Sequence, residues 1–247
     1  MRITERPDIQ LNREELLAAA ENWHFDCGAF PEFQEMYRAL LPLIETQIDV
    51  AWEADGDRAA ADGRETPVTD QSGAGCRYME GQPAYCAVTL GPGIDRLQER
   101  CSSSGDVSGA YMLECLGSVL LQKAYDIVDE LLWENTGLFV QRYIFPGDGE
   151  LPLSENAGIL ERIRVAGSGE SAGADDGSSI GMECSREADA ADSPAVSCNE
   201  SYVLTPQKSV VFIAVLGKDR KDRHLCDACP SVTCPNRKNG SRFSNNP

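Results

Sequence analysis

Apolar and polar positions follow two rhythms along this chain, and the rhythms mark its elements. Residues 12–22, NREELLAAAEN, open with an asparagine suited to an N-cap and place Glu14 and Glu15 in the first turn, where a helix favours negative charge. The run 31–53, PEFQEMYRALLPLIETQIDVAWE, predicts a second helix with an interruption at Pro42. The clearest helix is 106–135. There Glu114, Ser118, Gln122, Asp126 and Glu130 recur every four residues as one polar stripe, and the other faces are largely apolar, so most of it is expected to be buried. Residues 84–91 (AYCAVTLG), 137–145 (GLFVQRYIF) and 209–217 (SVVFIAVLG) are short apolar runs with β-branched and aromatic residues, and they predict strands. SENAGILERIRV, 154–165, reads as a short helix between the last two.

Two stretches lose all periodicity. Residues 54–75 read as a loop. In residues 166–197, 19 of 32 are Ala, Gly or Ser, seven are acidic and none is aromatic. Such a segment buries too little surface to offset its chain entropy, which predicts a disordered insertion within one domain. The chain of 247 residues, 42% hydrophobic, is long enough for a substantial core and shows no internal repeat. The expected organisation is one domain over 1–217 and a tail over 218–247.

Charge narrows the partners. The net charge is -18, from 40 acidic against 22 basic residues. A surface of that sign repels phosphate backbones and anionic lipid, so neither nucleic acid nor membrane is expected as a partner. Residues 218–242 run the other way, with seven Lys/Arg against three Asp. A basic tail of this kind docks an acidic partner, folds back on its own body, or is simply solvated. No run of residues has the length and apolarity of a signal peptide or a spanning helix. Ten cysteines without a secretory signal point to a reducing compartment, where thiols and metal ligands are expected rather than a disulfide framework. The expected location is the cytoplasm.

Catalytic motifs are missing. There is no Gly-rich phosphate loop, nucleophile elbow or zinc-protease motif. Two histidines, His24 and His224, leave little material for a Ser-His-Asp or Cys-His set. HFDC, 24–27, has ligand-like spacing but reads as a buried Cys27 beside a capping His24. Cys76, Cys86, Cys101 and Cys115 are expected to be inert packing thiols. The acidic residues over 170–192 lack the alternating ligands and final Glu of a calcium loop.

Three stretches resemble one family, the reactivation domain of cobalamin-dependent methionine synthase and its free-standing bacterial relatives. AVTLGPGIDRLQER, 87–100, resembles the family's strand and TLG turn followed by a long buried helix. RYIFPGDGELPLSEN, 142–156, resembles its Arg-x-x-Pro-Gly-Tyr segment, with one extra residue before the proline and Asp148 in place of the tyrosine. NESYVLTPQKSVVFIAVLG, 199–217, is the most specific match, with Glu200, Ser201, Tyr202, Pro206, Ser209 and Val210 in register. The resemblance implies an α+β fold with a twisted antiparallel sheet flanked by helices. It implies a site for S-adenosylmethionine at Arg142, Pro146 and Gly147, with Glu200 and Ser201 as pocket or scaffold residues. A guanidinium grips a carboxylate in bidentate fashion, and Pro-Gly lets backbone approach a ligand closely. For Arg142 a salt bridge at a strand end is the structural alternative, and for Glu200 and Ser201 a capping or turn role.

The implied function is accessory. In the family this domain brings S-adenosylmethionine and an electron donor to an oxidised corrinoid, which is then reductively methylated. The chain has no Asp-x-His-x-x-Gly corrinoid-binding segment, so cobalamin is expected on a partner, either a methionine synthase or a corrinoid methyltransferase. An electron-transfer protein such as flavodoxin or ferredoxin is a further implied partner. The alternative is a scaffold or adaptor that keeps the fold, has lost the ligand, and binds a partner through its tail. That tail holds Cys226, Cys229 and Cys234 within nine residues, with His224 beside them. The spacing lets three thiolates converge on one ion or cluster. His224 would complete a zinc site, whereas Cys198 or an external ligand would suit an iron–sulfur cluster.

Overall fold

The computed structural model describes residues 1–53, 66–68, 77–79, 81–148, 151–167 and 195–219. Nine strands and five α-helices lie within them. In chain order they are β1 (Arg2–Glu5), α1 (Arg13–Asn22), α2 (Phe30–Leu40), β2 (Gln47–Trp52), β3 (Thr66–Val68), β4 (Arg77–Met79), β5 (Gln82–Thr89), α3 (Gly93–Ser104), α4 (Val107–Thr136), β6 (Phe139–Ile144), α5 (Glu155–Gly167), β7 (Ser197–Cys198), β8 (Leu204–Thr205) and β9 (Ser209–Gly217). The fold is α+β. Five strands pair antiparallel in the order β1-β2-β5-β9-β6, and helices flank the sheet on both faces.

The helix boundaries follow from local chemistry. Asn12 caps α1 by accepting from the Glu15 amide at 2.9 Å, while the Glu15 carboxylate accepts from the Asn12 amide at 2.8 Å. Asp106 caps α4 through the Gly109 amide at 2.8 Å. On α4 the apolar positions Met112, Leu113, Leu116, Leu120, Val128 and Leu132 are buried, and the polar stripe is exposed or half-buried, as the spacing requires.

The run 31–53 is not one helix. α2 ends at Leu40, a 3-10 turn covers Leu41–Leu43, and Gln47–Trp52 is strand β2. Pro42 lacks the amide that would continue the helix. All six residues of β2 are buried because both sheet faces are covered, which erases the alternation that marks a strand. β1 and the separate helix α3 were not anticipated. Part of the expected loop 54–75 is ordered, since β3 pairs antiparallel with β4. Of the expected insertion, residues 166–167 belong to α5, which continues to Gly167, and residues 195–197 lead into β7, which begins at Ser197. Its residues 168–194 lie outside the described residues.

The two faces have separate cores. Ile48, Val50, Cys86, Val88, Phe212 and Ala214 face α1–α4, where Phe33, Leu40, Ile94 and Leu116 close the packing. Ala51, Tyr85, Ala87, Val211, Ile213 and Val215 face α5, against Ile159, Leu160 and Ile163. Each fully buried aliphatic of this size contributes about 1.5–3 kcal/mol. At the β1 edge the α5 face turns polar. Asp49 is fully buried and accepts from Arg2 Nη2 at 2.8 Å, Thr4 Oγ1 at 2.6 Å and Gln47 Nε2 at 2.8 Å. A buried carboxylate survives because it is paired and hydrogen-bonded.

Candidate functional site

β6 is an edge strand and carries a bulge between Val140 and Arg142. Beyond the bulge Arg142 stands opposite Val215, a member of the α5-side core, so Arg142 belongs to the α5 face and is exposed. After Phe145 the chain leaves the sheet. Pro146 bridges Leu151, the Gly147 amide donates to the Leu151 carbonyl at 2.7 Å, and the Asp148 amide donates to the Phe145 carbonyl at 3.1 Å. Gly147 has φ +87°, a left-handed conformation that a side chain would strain. Asp148 is exposed at the tip.

The second motif forms a tight turn over 199–203. The Asn199 Oδ1 accepts from the Ser201 and Val203 amides, both at 2.9 Å, and the Tyr202 amide donates to the Asn199 carbonyl at 2.9 Å. The capping role left open for Glu200 and Ser201 therefore belongs to Asn199. Glu200 and Ser201 both have exposed side chains. Tyr202 takes φ +61°, and its carbonyl accepts from Asn156 Nδ2 at 2.8 Å. Asn156 is buried in the first turn of α5.

That single bond brings two distant motifs together. Pro146 and Gly147 lead into α5, Glu200 and Ser201 are held against its first turn, and the exposed surface of Gly147, Glu200 and Ser201 is the shelf at this end of the helix. Arg142 sits farther off, about 13 Å from Pro146 along the strand at roughly 3.3 Å per residue. Three large apolar side chains stand exposed on the same segments: Leu153 at 46%, Tyr202 at 40% and Val203 at 54%. Under α5, Arg162 lies 4.9 Å over the Tyr85 ring. Burial pushes the Tyr85 hydroxyl's pKa up even against that cation.

The expected metal ligands Cys226, Cys229, Cys234 and His224 lie outside the described residues. Among the described residues no group of three His, Cys, Asp or Glu side chains is placed to hold a metal ion. Cys198 is half-buried on β7 opposite Leu204. Cys86, Cys101 and Cys115 are buried as expected, and burial pushes the Cys115 thiol up to about 11. Cys76 lies outside the described residues. Cys27 corrects the sequence reading: it is exposed, in the loop between α1 and α2. Among the described residues His24 makes no capping bond with its side chain; it takes φ +62° while its amide donates to the Glu21 carbonyl at 3.0 Å.

A cavity of about 510 Å³ lies where β1 ends and β2 begins, at residues that carry no motif for it. Its lining includes Arg6, Asp8, Thr46, Gln47, Gly91 and Pro206. Gly91 and Pro206 come from two of the resembling stretches. The other four come from segments that carry no motif.

The fold has a counterpart among solved structures. The MetH reactivation domain bound to AdoHcy matches 90% of this chain and 80% of its own, with a TM-score of 0.52 and 12% identity. The likeness is one of fold, and it places this chain's sheet and flanking helices in the architecture of that domain. No family model matches the chain, and no curated protein matches it. Among the described residues no helix is long and apolar enough to cross a membrane.

Proposed function

We propose that this protein is a free-standing reactivation factor for a cobalamin-dependent methionine synthase or a corrinoid methyltransferase. The observation that carries the reading is the Asn156–Tyr202 bond, which ties the Glu200–Ser201 turn to the first turn of α5, the helix that the Pro146–Gly147 turn precedes, on a fold shared with the MetH reactivation domain bound to AdoHcy. S-adenosylmethionine lies along the β6 edge, its carboxylate on the Arg142 guanidinium and its remainder toward the Gly147 turn, where backbone approaches closely. Asp148 supplies a negative charge for the ligand's ammonium or sulfonium where the family has an aromatic ring. The corrinoid, as substrate, arrives on a partner protein. Leu153, Tyr202 and Val203 form an apolar footprint for that partner beside the ligand.

The domain spans 1–217, and the tail over 218–247 carries a metal or cluster on Cys226, Cys229 and Cys234, with His224 or Cys198 as the fourth ligand. An iron–sulfur cluster there would pass electrons, from a donor such as flavodoxin or ferredoxin, to the corrinoid. Zinc would make the tail structural. Protein purified without oxygen is expected to be brown, with broad absorption near about 400 nm, and Cys229→Ser to abolish the colour. Colourless anaerobic protein with neither metal would overturn the metal site.

The adaptor reading draws on the same exposed apolar side chains and on Asp148. It requires partner binding without ligand binding. Calorimetry with S-adenosylmethionine separates the two readings.

A further inference from the structure

The cavity at the β1–β2 end of the sheet is built around one oriented cation. Arg6 Nε donates to Gln47 Oε1 at 3.2 Å, and Gln47 Nε2 donates to Asp49 Oδ2 at 2.8 Å. Asp49 is itself fixed by Arg2 and Thr4. Gln47 is 7% exposed and Asp49 fully buried, so this relay is rigid and sets the Arg6 guanidinium at the cavity mouth. Among the described residues Arg6 has no carboxylate partner, and Gln47 is the group that holds it. Its remaining N–H groups form a donor fork of the kind that matches a carboxylate.

Thr46 also lines the cavity at 5% exposure, with its hydroxyl buried behind the wall and without a hydrogen-bond partner among the described residues. The wall is otherwise apolar, from Pro7, Ile44, Pro92 and Pro206. Gly91, at φ +77°, shapes the floor, since a Cβ there would lie 2.7 Å from the Glu45 Cβ.

The charges choose the guest. Two carboxylates, Asp8 and Glu45, share the lining with Arg6. Asp8 accepts from Gln10, and Glu45 lies 3.8 Å from Arg96 with its side chain 67% exposed. A phosphate or dicarboxylate would meet both acids and the strongly negative body, whereas a bare cation would meet Arg6. A zwitterion satisfies both signs. We infer that this cavity binds a free α-amino acid with an apolar side chain, its carboxylate on Arg6, its ammonium toward Asp8 and Glu45, and its side chain against the proline wall. The volume of about 510 Å³ falls within the range of small-molecule sites. The site is distinct from the shelf at α5 and stands whether or not that shelf binds S-adenosylmethionine.

The test is amide-detected NMR titration of the full chain with L-leucine, L-methionine and L-phenylalanine. Isoamylamine and 4-methylpentanoate serve as the two halves of leucine. At least one amino acid is expected to shift the Thr46, Gln47 and Gly91 amides and leave those of Gly147 and Ser201 in place, and neither half to match it. Arg6 is exposed, so Arg6→Ala should fold, and it should weaken binding about tenfold or more. Three results would overturn the inference: no shifts at 10 mM of any of the three, binding indifferent to Arg6→Ala, or shifts confined to the α5 shelf.

Discussion

Lys208 offers a sharp test of how the third resembling stretch is held. It is 8% exposed just before β9, its ammonium contacts the Glu114 carboxylate and lies 3.2 Å from Ser118 Oγ, and its stem crosses α4 at Gly117. A Cβ at position 117 would lie 2.9 Å from Lys208 Cε and 3.2 Å from Ile94 Cδ1. Glu114 is half-exposed, so the ion pair is screened and contributes about 0.5–1 kcal/mol. Three buried methylenes add about 2.4 kcal/mol at 0.8 each. Lys208→Met, which keeps most of the stem, should therefore cost about 1 kcal/mol, and Lys208→Ala about 3 kcal/mol. Gly117→Ala gains about 1 kcal/mol in helix propensity but forces the pinned stem aside, at about 1–3 kcal/mol. It should destabilise the native protein slightly and stabilise the Lys208→Ala variant by up to about 1 kcal/mol, where only Ile94 remains close. Urea unfolding of the four proteins gives the coupling directly. Additivity within about 0.3 kcal/mol would refute this account of Lys208 and Gly117.

Other outcomes follow from buried or paired groups. Asp49→Ala removes the carboxylate that pairs with Arg2, whose side chain is 5% exposed, and should cost about 3–5 kcal/mol in the same assay. Glu15 is held below its ordinary carboxylate value, chiefly by the hydrogen bond from Lys123. A depressed carboxylate contributes stability above its unfolded value of 4.5 and loses it as pH falls through the folded one. Lys123→Met should therefore cost under about 1 kcal/mol at pH 7, since both side chains are over a third exposed, and progressively less as pH falls below 4.5. Thiol labelling of native protein at pH 8, read by peptide mass spectrometry, should modify the exposed Cys27 and spare Cys86 and Cys115, whose thiols burial keeps protonated.

The legible parts of this sequence were those with a distinctive stripe, cap or sharp boundary. α4 announced itself through its polar stripe, α1 through its cap, and β9 through an apolar run with sharp ends. β2 was misread because a strand covered on both faces carries no alternation and followed a true helix without a glycine to mark the break. β1 is too short and polar to register, although Arg2 and Thr4 secure the buried Asp49. Around the shelf, the resembling stretches gave Pro146, Gly147, Glu200 and Ser201. The residues that join them, Asn156 and Asn199, act through backbone carbonyls and amides and leave no signature in the pattern. Arg6, Thr46 and Gln47 were invisible for a related reason: sheet registry alone brings them beside Gly91 and Pro206.

The central claim is that the α5 shelf and β6 edge bind S-adenosylmethionine. Isothermal titration calorimetry on the full chain is the direct measurement, with Arg142→Ala beside it. Losing a bidentate carboxylate contact costs about 1.5–3 kcal/mol, so the account predicts binding heat for the unmutated protein and at least tenfold weaker binding for the variant. No binding heat at millimolar ligand would contradict it and leave the adaptor reading in its place.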